Sequence, residues 1–158
     1  MNKKDDNFKK TSKSLSKILP HNLDAEEALL GSIFISNEAL YKIVDLVLPD
    51  DFYSPANKEI YDSILNLFND KSPIDLVTIT EALEKRGVLD KIGGATYLTR
   101  IINSVPTASH VIQYGNIVKE KKILRDLIIA ANDISGLGYG EDDKNIDEVL
   151  DQAEQTLF

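Results

Sequence analysis

Cysteine is absent from all 158 residues, which excludes a disulfide framework and a thiolate metal site. Tryptophan is absent too, so the 11 aromatic side chains are all tyrosine or phenylalanine. Histidine occurs only as His21 and His110, 89 positions apart, with no ligand spacing between them. No apolar run approaches the roughly 20 residues that span a bilayer, and no signal-peptide core comes after the basic start. The chain therefore reads as soluble and intracellular. Strand signals are scarce: there is no sustained alternation and no Asn-Gly hairpin turn. No Gly-Lys dipeptide occurs anywhere, so the Gly-x-x-x-x-Gly-Lys phosphate loop is missing.

Charge is present but lopsided. Residues 1–17, MNKKDDNFKKTSKSLSK, hold six lysines against Asp5 and Asp6 and almost no large apolar groups. Such a stretch cannot bury enough surface to offset its ordering entropy and reads as a disordered, lysine-rich arm. The rest of the chain has 12 basic and 24 acidic side chains. A body this acidic repels a phosphate backbone, so its binding to DNA should be weak.

Beyond the arm the pattern is helical. Asp24 with Glu27 gives a capping-box pattern opening AEEALLGSIFI, which runs to about Ile35. Ser36 and Asn37 restart a helix through Ala39, Leu40, Ile43, Val44 and Val47, which Pro49 ends. Ser54-Pro55 is a cap followed by proline at the first helical position, and the helix behind it lines up Ile60, Tyr61, Ile64, Leu65 and Phe68. Asp75 caps LVTITEALEKR, with Leu76, Ile79 and Leu83 on one stripe and Gly87 as a left-handed stop. Gly93-Gly94 introduces a fifth helix carrying Tyr97, Leu98, Ile101 and Ile102.

The last third changes character. Residues 108–134 form one long helical pattern with Ile117, Leu124, Ile128 and Ala131 on one side. Ile123, Leu127, Ala130 and Ile134 lie beside them, an apolar arc of roughly 160°. One neighbouring helix covers less than that. A Gly-rich turn, SGLGYGEDDKN, reverses the chain into a final helix with Ile146, Val149, Leu150, Ala153 and Leu157 on one face. Two helices joined this way make a hairpin whose own core is too small, so it should pair with another copy. The expected fold class is all-α: a compact helical globular bundle over residues 18–107, then a helical hairpin over 108–158.

Candidate chemistry is thin. Gly136, Gly138 and Gly140 come after no strand and precede Glu141-Asp142-Asp143, which would repel phosphate, so they read as a turn. Glu26-Glu27 and Asp50-Asp51 read as solvated or capping acids, and His110 as a surface or cap residue. Tyr41, Phe52, Tyr53, Tyr61 and Phe68 read as core. Tyr97, just after the Gly-Gly turn, fits either the core or an exposed interface anchor. No catalytic, cofactor-binding or metal residue emerges.

Taken in order, several motifs carry a resemblance. LPHNLDAEEALLGSI, DFY at 51–53, PIDLVTIT at 73–80, GVLDKIGGATYL at 87–98, VPTA at 105–108, IVKEKKILRDLI at 117–128 and LDQAEQTLF at 150–158 stand in the order of the N-terminal domain of DnaB-type bacterial replicative DNA helicases. The chain resembles that family over residues 19–158. The family often has histidine where Asn57 stands, and asparagine where this chain has Ser109 or His110; both read as local swaps.

The resemblance implies a non-enzymatic collar domain whose ATPase motor, with its ATP and magnesium, lies in an absent C-terminal domain. It also implies self-association as a dimer or as a trimer of dimers within a hexamer, and recruitment of the primase C-terminal domain. A helicase loader is a further partner in the family, and the setting is the bacterial cytoplasm at the replisome. Candidates for self-association are Ile123, Leu124, Leu127, Ile146, Leu150 and Leu157; candidates for primase contact are Tyr97, Ile128 and Ile134. The alternative is a stand-alone helical replication adaptor without a motor.

Overall fold

In a computed structural model of the chain, residues 18–140 and 143–157 are described, and among them every regular element is helical. The lysine-rich arm lies outside the described residues. The helices are α1 (Leu23–Ile35), α2 (Glu38–Ile43), α3 (Pro55–Asn69), α4 (Leu76–Lys85), α5 (Gly94–Ile102), α6 (Val111–Gly138) and α7 (Ile146–Leu157), with one 3-10 turn at Pro49–Asp51.

Local signals set most of these boundaries. The Ser54 hydroxyl accepts the Asn57 N–H ahead of Pro55, and the Asp75 carboxylate accepts the Thr78 N–H. Gly87 and Gly93 take left-handed φ values of 70° and 105°, a region open to glycine without a Cβ penalty. Three expectations are corrected. Helix α2 ends at Ile43, so Val44 caps it and Val47 lies beyond it rather than within a helix running to Pro49. The cap of α1 is Asn22, whose side chain accepts the Ala25 N–H, and Asp24 sits in the first turn. The long helix also starts and stops later than its apolar pattern suggests: it runs through Gly136 and Gly138, and only Gly140, at φ 71°, leaves it.

The core of the globular part is built around α1, whose Leu29, Leu30 and Ile33 are fully buried. Helix α1 packs against α5 and the first half of α6, while α3 and α4 pair on its flank. Leu40, Ile43, Ile60, Tyr61, Ile64, Ile79, Leu83, Leu98 and Ile101 complete the interior. Tyr41 and Tyr53 depart from their core reading: Tyr41 is 69% exposed and meets Phe68 edge-on at the surface, and Tyr53 is 37% exposed at the corner before α3. Leu76, at the solvent-facing start of α4, is exposed as well.

Two glycines set how closely the layers approach. A Cβ on Gly31 would lie 2.5 Å from the Ile101 carbonyl oxygen and 2.5 Å from Ser104 Oγ, where α5 ends against α1. A Cβ on Gly115 would press on Leu46, Val47 and Ile43, where α6 crosses the end of α2. Gly31→Ala should therefore push α5 off α1, costing roughly 1–3 kcal/mol. A lower midpoint in urea with an unchanged slope is the expected readout.

Tyr61 generates a second prediction. Burial pushes its phenol well above the ordinary value, Asp51 adds to the effect, and its hydroxyl donates to the Val47 carbonyl at 2.8 Å. A raised folded value means that its stabilisation is complete below about pH 10, where the unfolded tyrosine is still neutral. Stability should fall as pH climbs above that point. Tyrosinate absorbance should show Tyr61 titrating only as the fold is lost.

Candidate interaction surface

Residues of the motifs LPHNLDAEEALLGSI, DFY and IVKEKKILRDLI converge on a polar junction where α1, the 3-10 corner, α3 and α6 meet. Glu26, read from the sequence as a surface acid, and Asp51, read as a capping acid at the corner, are 2% and 3% exposed. The Glu26 carboxylate accepts the backbone N–H of Tyr53 (2.6 Å) and of Ser54 (3.3 Å), and the Asn57 side-chain amide (2.9 Å). It thus answers the free donors at the start of α3, where the helix dipole also favours negative charge. Asp51 accepts the Leu48 N–H at 2.8 Å, closing the 3-10 turn, and pairs with Lys119 of α6 at 3.0 Å. Asp50, its neighbour, stays at the surface on Lys58, whose cation holds the carboxyl below its ordinary value.

Asn57 is more than a local swap. It is fully buried and relays between helices: its amide donates to Glu26 and its carbonyl accepts the Tyr97 hydroxyl at 2.6 Å. Glu27 lies 3.3 Å from that hydroxyl and takes an ion pair from Arg100 at 2.6 Å, while Arg100 also covers the Tyr97 ring. Burial, reinforced by Glu27, pushes the Tyr97 phenol above its ordinary value. Tyr97 is therefore half-buried within a hydrogen-bonded network on α5.

The hairpin candidates lie elsewhere. Ile123, Leu124, Leu127 and Ile128 are 58%, 37%, 61% and 37% exposed along one side of α6. On α7, Ile146, Leu150 and Leu157 are exposed, whereas Val149, Ala153 and Thr156 are partly covered. Ala130, Ile134, Gly136 and Leu137 are the covered residues of outer α6, where α7 packs on it. The structure thus gathers the six self-association candidates and Ile128 into the hairpin's open surface. Ile134 sits inward, and Tyr97 is apart on α5, which packs on α1 and α4. Periodicity missed Glu26, Asp51, Asn57 and Arg125 because it scores polar residues as solvent-facing; the one available signal was their place inside or beside the family-like motifs.

A groove of about 420 Å³ lies between α3 and α4 and is lined by Asn66, Asp70, Glu81, Lys85 and Arg86 among others. Its mixed charges select no ligand class. Among the described residues no cluster of three or more His, Asp or Glu side chains is placed to hold a metal ion. No described helix is long and apolar enough to cross a membrane.

Truncating Glu26 should be costly for the whole junction. Glu26→Ala leaves two backbone N–H groups and the Asn57 amide without an acceptor, a loss of roughly 3–5 kcal/mol. Thermal unfolding should show it, and Tyr97→Phe, which removes one hydrogen bond of the relay, should cost less than half as much.

Comparison with known proteins places the chain among relatives. A family model described as the DnaB-like helicase N terminal domain matches residues 18–120. The Replicative DNA helicase DnaC of Bacillus subtilis is 42% identical over 139 residues, which cover 88% of this chain and 30% of that protein. The Replicative DNA helicase DnaB of Haemophilus influenzae is 40% identical over 141 residues, again 30% of its length. The crystal structure of the N-terminal domain of DnaB helicase from Mycobacterium tuberculosis superposes with a TM-score of 0.84 at 38% identity, covering 89% of this chain and 97% of that one. The chain spans about 30% of the length of these two curated relatives.

Proposed function

This chain belongs to the DnaB-like helicase N-terminal domain family, and on that premise we propose that it is the collar of a replicative DNA helicase, holding copies together and recruiting primase during DNA replication. Unwinding driven by ATP and magnesium belongs to a motor domain outside this sequence. The reading places the protein in the bacterial cytoplasm, at the replisome, with a helicase loader as a further partner.

The observation that carries the proposal is the uncovered apolar surface of the hairpin. Ile123, Leu124, Leu127, Ile128, Ile146, Leu150 and Leu157 all lie on two helices and all remain at least 37% exposed. Contiguous apolar surface on a globular domain marks an interaction site. A second copy, presenting the same helices, matches it in chemistry through a two-fold interface. The body is acidic and its lysines are few, which leaves protein rather than DNA as the partner of this face.

Light scattering on the whole chain, alone and with the primase C-terminal domain, tests both parts. Leu127→Asp places a charge on an already exposed position, so the fold should survive. A charge buried in the interface costs several kcal/mol, so the mass should drop to that of a monomer. An unchanged mass would remove the hairpin from self-association. Ile128→Ala should weaken primase binding without altering the melting curve.

A further inference from the structure

The buried positions of α6 run Val111, Gly115, Val118 and Arg125, and none is buried between Arg125 and Leu137. The first three sit against α1 and α2, where an apolar stripe is expected to continue. It continues into an arginine that is only 6% exposed. Arg125 is therefore the last point at which the globular part grips the long helix.

Its grip is polar and reaches a separate piece of chain. Nη1 donates to the Pro20 carbonyl at 2.9 Å, Nη2 donates to the Asp51 carbonyl at 2.6 Å, and the guanidinium lies over the Tyr53 ring at 5.6 Å. Pro20 belongs to the strap at residues 18–22, which precedes α1. Beside it, His21 stacks on the same Tyr53 ring, 4.1 Å away and within 10° of parallel, and its Nδ1 pairs with the Leu19 carbonyl. The strap is otherwise lightly held: Ile18 is 76% exposed and residues 19–22 are only partly buried.

We propose that this strap is a clasp: seated on Tyr53 and Arg125 it fixes the direction of the hairpin, and lifted it lets α6 beyond Arg125 swing together with α7. The energetics are asymmetric. A strap carbonyl that leaves finds water at little cost, whereas a buried guanidinium that loses an acceptor is heavily penalised. Arg125 then turns outward to be solvated, and the helix segment that carries it moves too. An apolar residue at this position would have no such dependence on residues 18–22.

The absence of cysteine makes the test clean. Full-length chain carrying Glu84→Cys on α4 and Tyr139→Cys at the hairpin tip is spin-labelled and diluted with unlabelled chain, so that distances within one molecule are read. Both positions are exposed. His21→Ala, which unseats the strap without touching α6, and Arg125→Lys, which keeps the charge but not the paired donors, should each broaden the distance distribution. Amide exchange over residues 126–138 should rise roughly ten-fold while α1 and α3 stay protected. Unchanged distances in both variants would overturn the proposal. Exchange rising equally in α1 and α3 would overturn it as well, because the strap would then be ordinary core.

Discussion

Taking a carboxylate out of water costs several kcal/mol unless protein donors replace its hydration. Glu26 meets that demand with two backbone N–H groups and one side-chain amide, all from Tyr53, Ser54 and Asn57. The constraint works in both directions. The charge requires the corner at 52–54 to sit against α1, and the corner's free N–H groups require an acceptor there. Everything around the junction inherits this fixed point: Asn57 is held for Tyr97, Asp51 for Lys119, and the Asp51 carbonyl for Arg125. The apolar core supplies the bulk of the driving force, but the polar junction decides how α3 and α6 are set relative to α1.

Much of the helical framework is legible in the sequence because its signals are local. Ser54-Pro55, Asp75 and Gly87 act through their own backbone and neighbours three or four positions away, so spacing alone reveals them. The ends of α1 and α6 are less legible for specific reasons. Asn22 and Asp24 can both cap, and only the Ala25 N–H that reaches the Asn22 side chain decides between them. Gly136 and Gly138 are poor helix formers, yet α6 carries through both before Gly140 leaves it. Propensity costs there amount to about 1 kcal/mol per glycine, a weak prior that packing of α7 on α6 overrides.

Apart from the capping role of Asp51 and the family-like motifs around its members, the junction is not legible, since those members are Glu, Asp, Asn and Arg, and a hydrophobic pattern counts each of them as outside. Their long-range partners lie between 27 and 105 positions away in the chain. Only the folded arrangement pairs them. The hairpin is easier, because an apolar arc too wide for one neighbour is visible on a helical wheel. Which of those residues face α7 and which stay open is not, since Ile134 and Leu127 share a stripe and differ only in where α7 happens to reach.

The length of α6 beyond its last buried anchor has a mechanical meaning. From Arg125 to Gly138 the helix advances about 1.5 Å per residue, so the unsupported arm is roughly 20 Å long. A tilt of about 10° at its root displaces the tip by roughly 3.5 Å, more than the side-chain play that a packed interface absorbs. Small rotations at one guanidinium are thus geared up into whole-contact changes at Tyr139, the most exposed aromatic of the described residues. A rod of this kind reports angle at one end as position at the other.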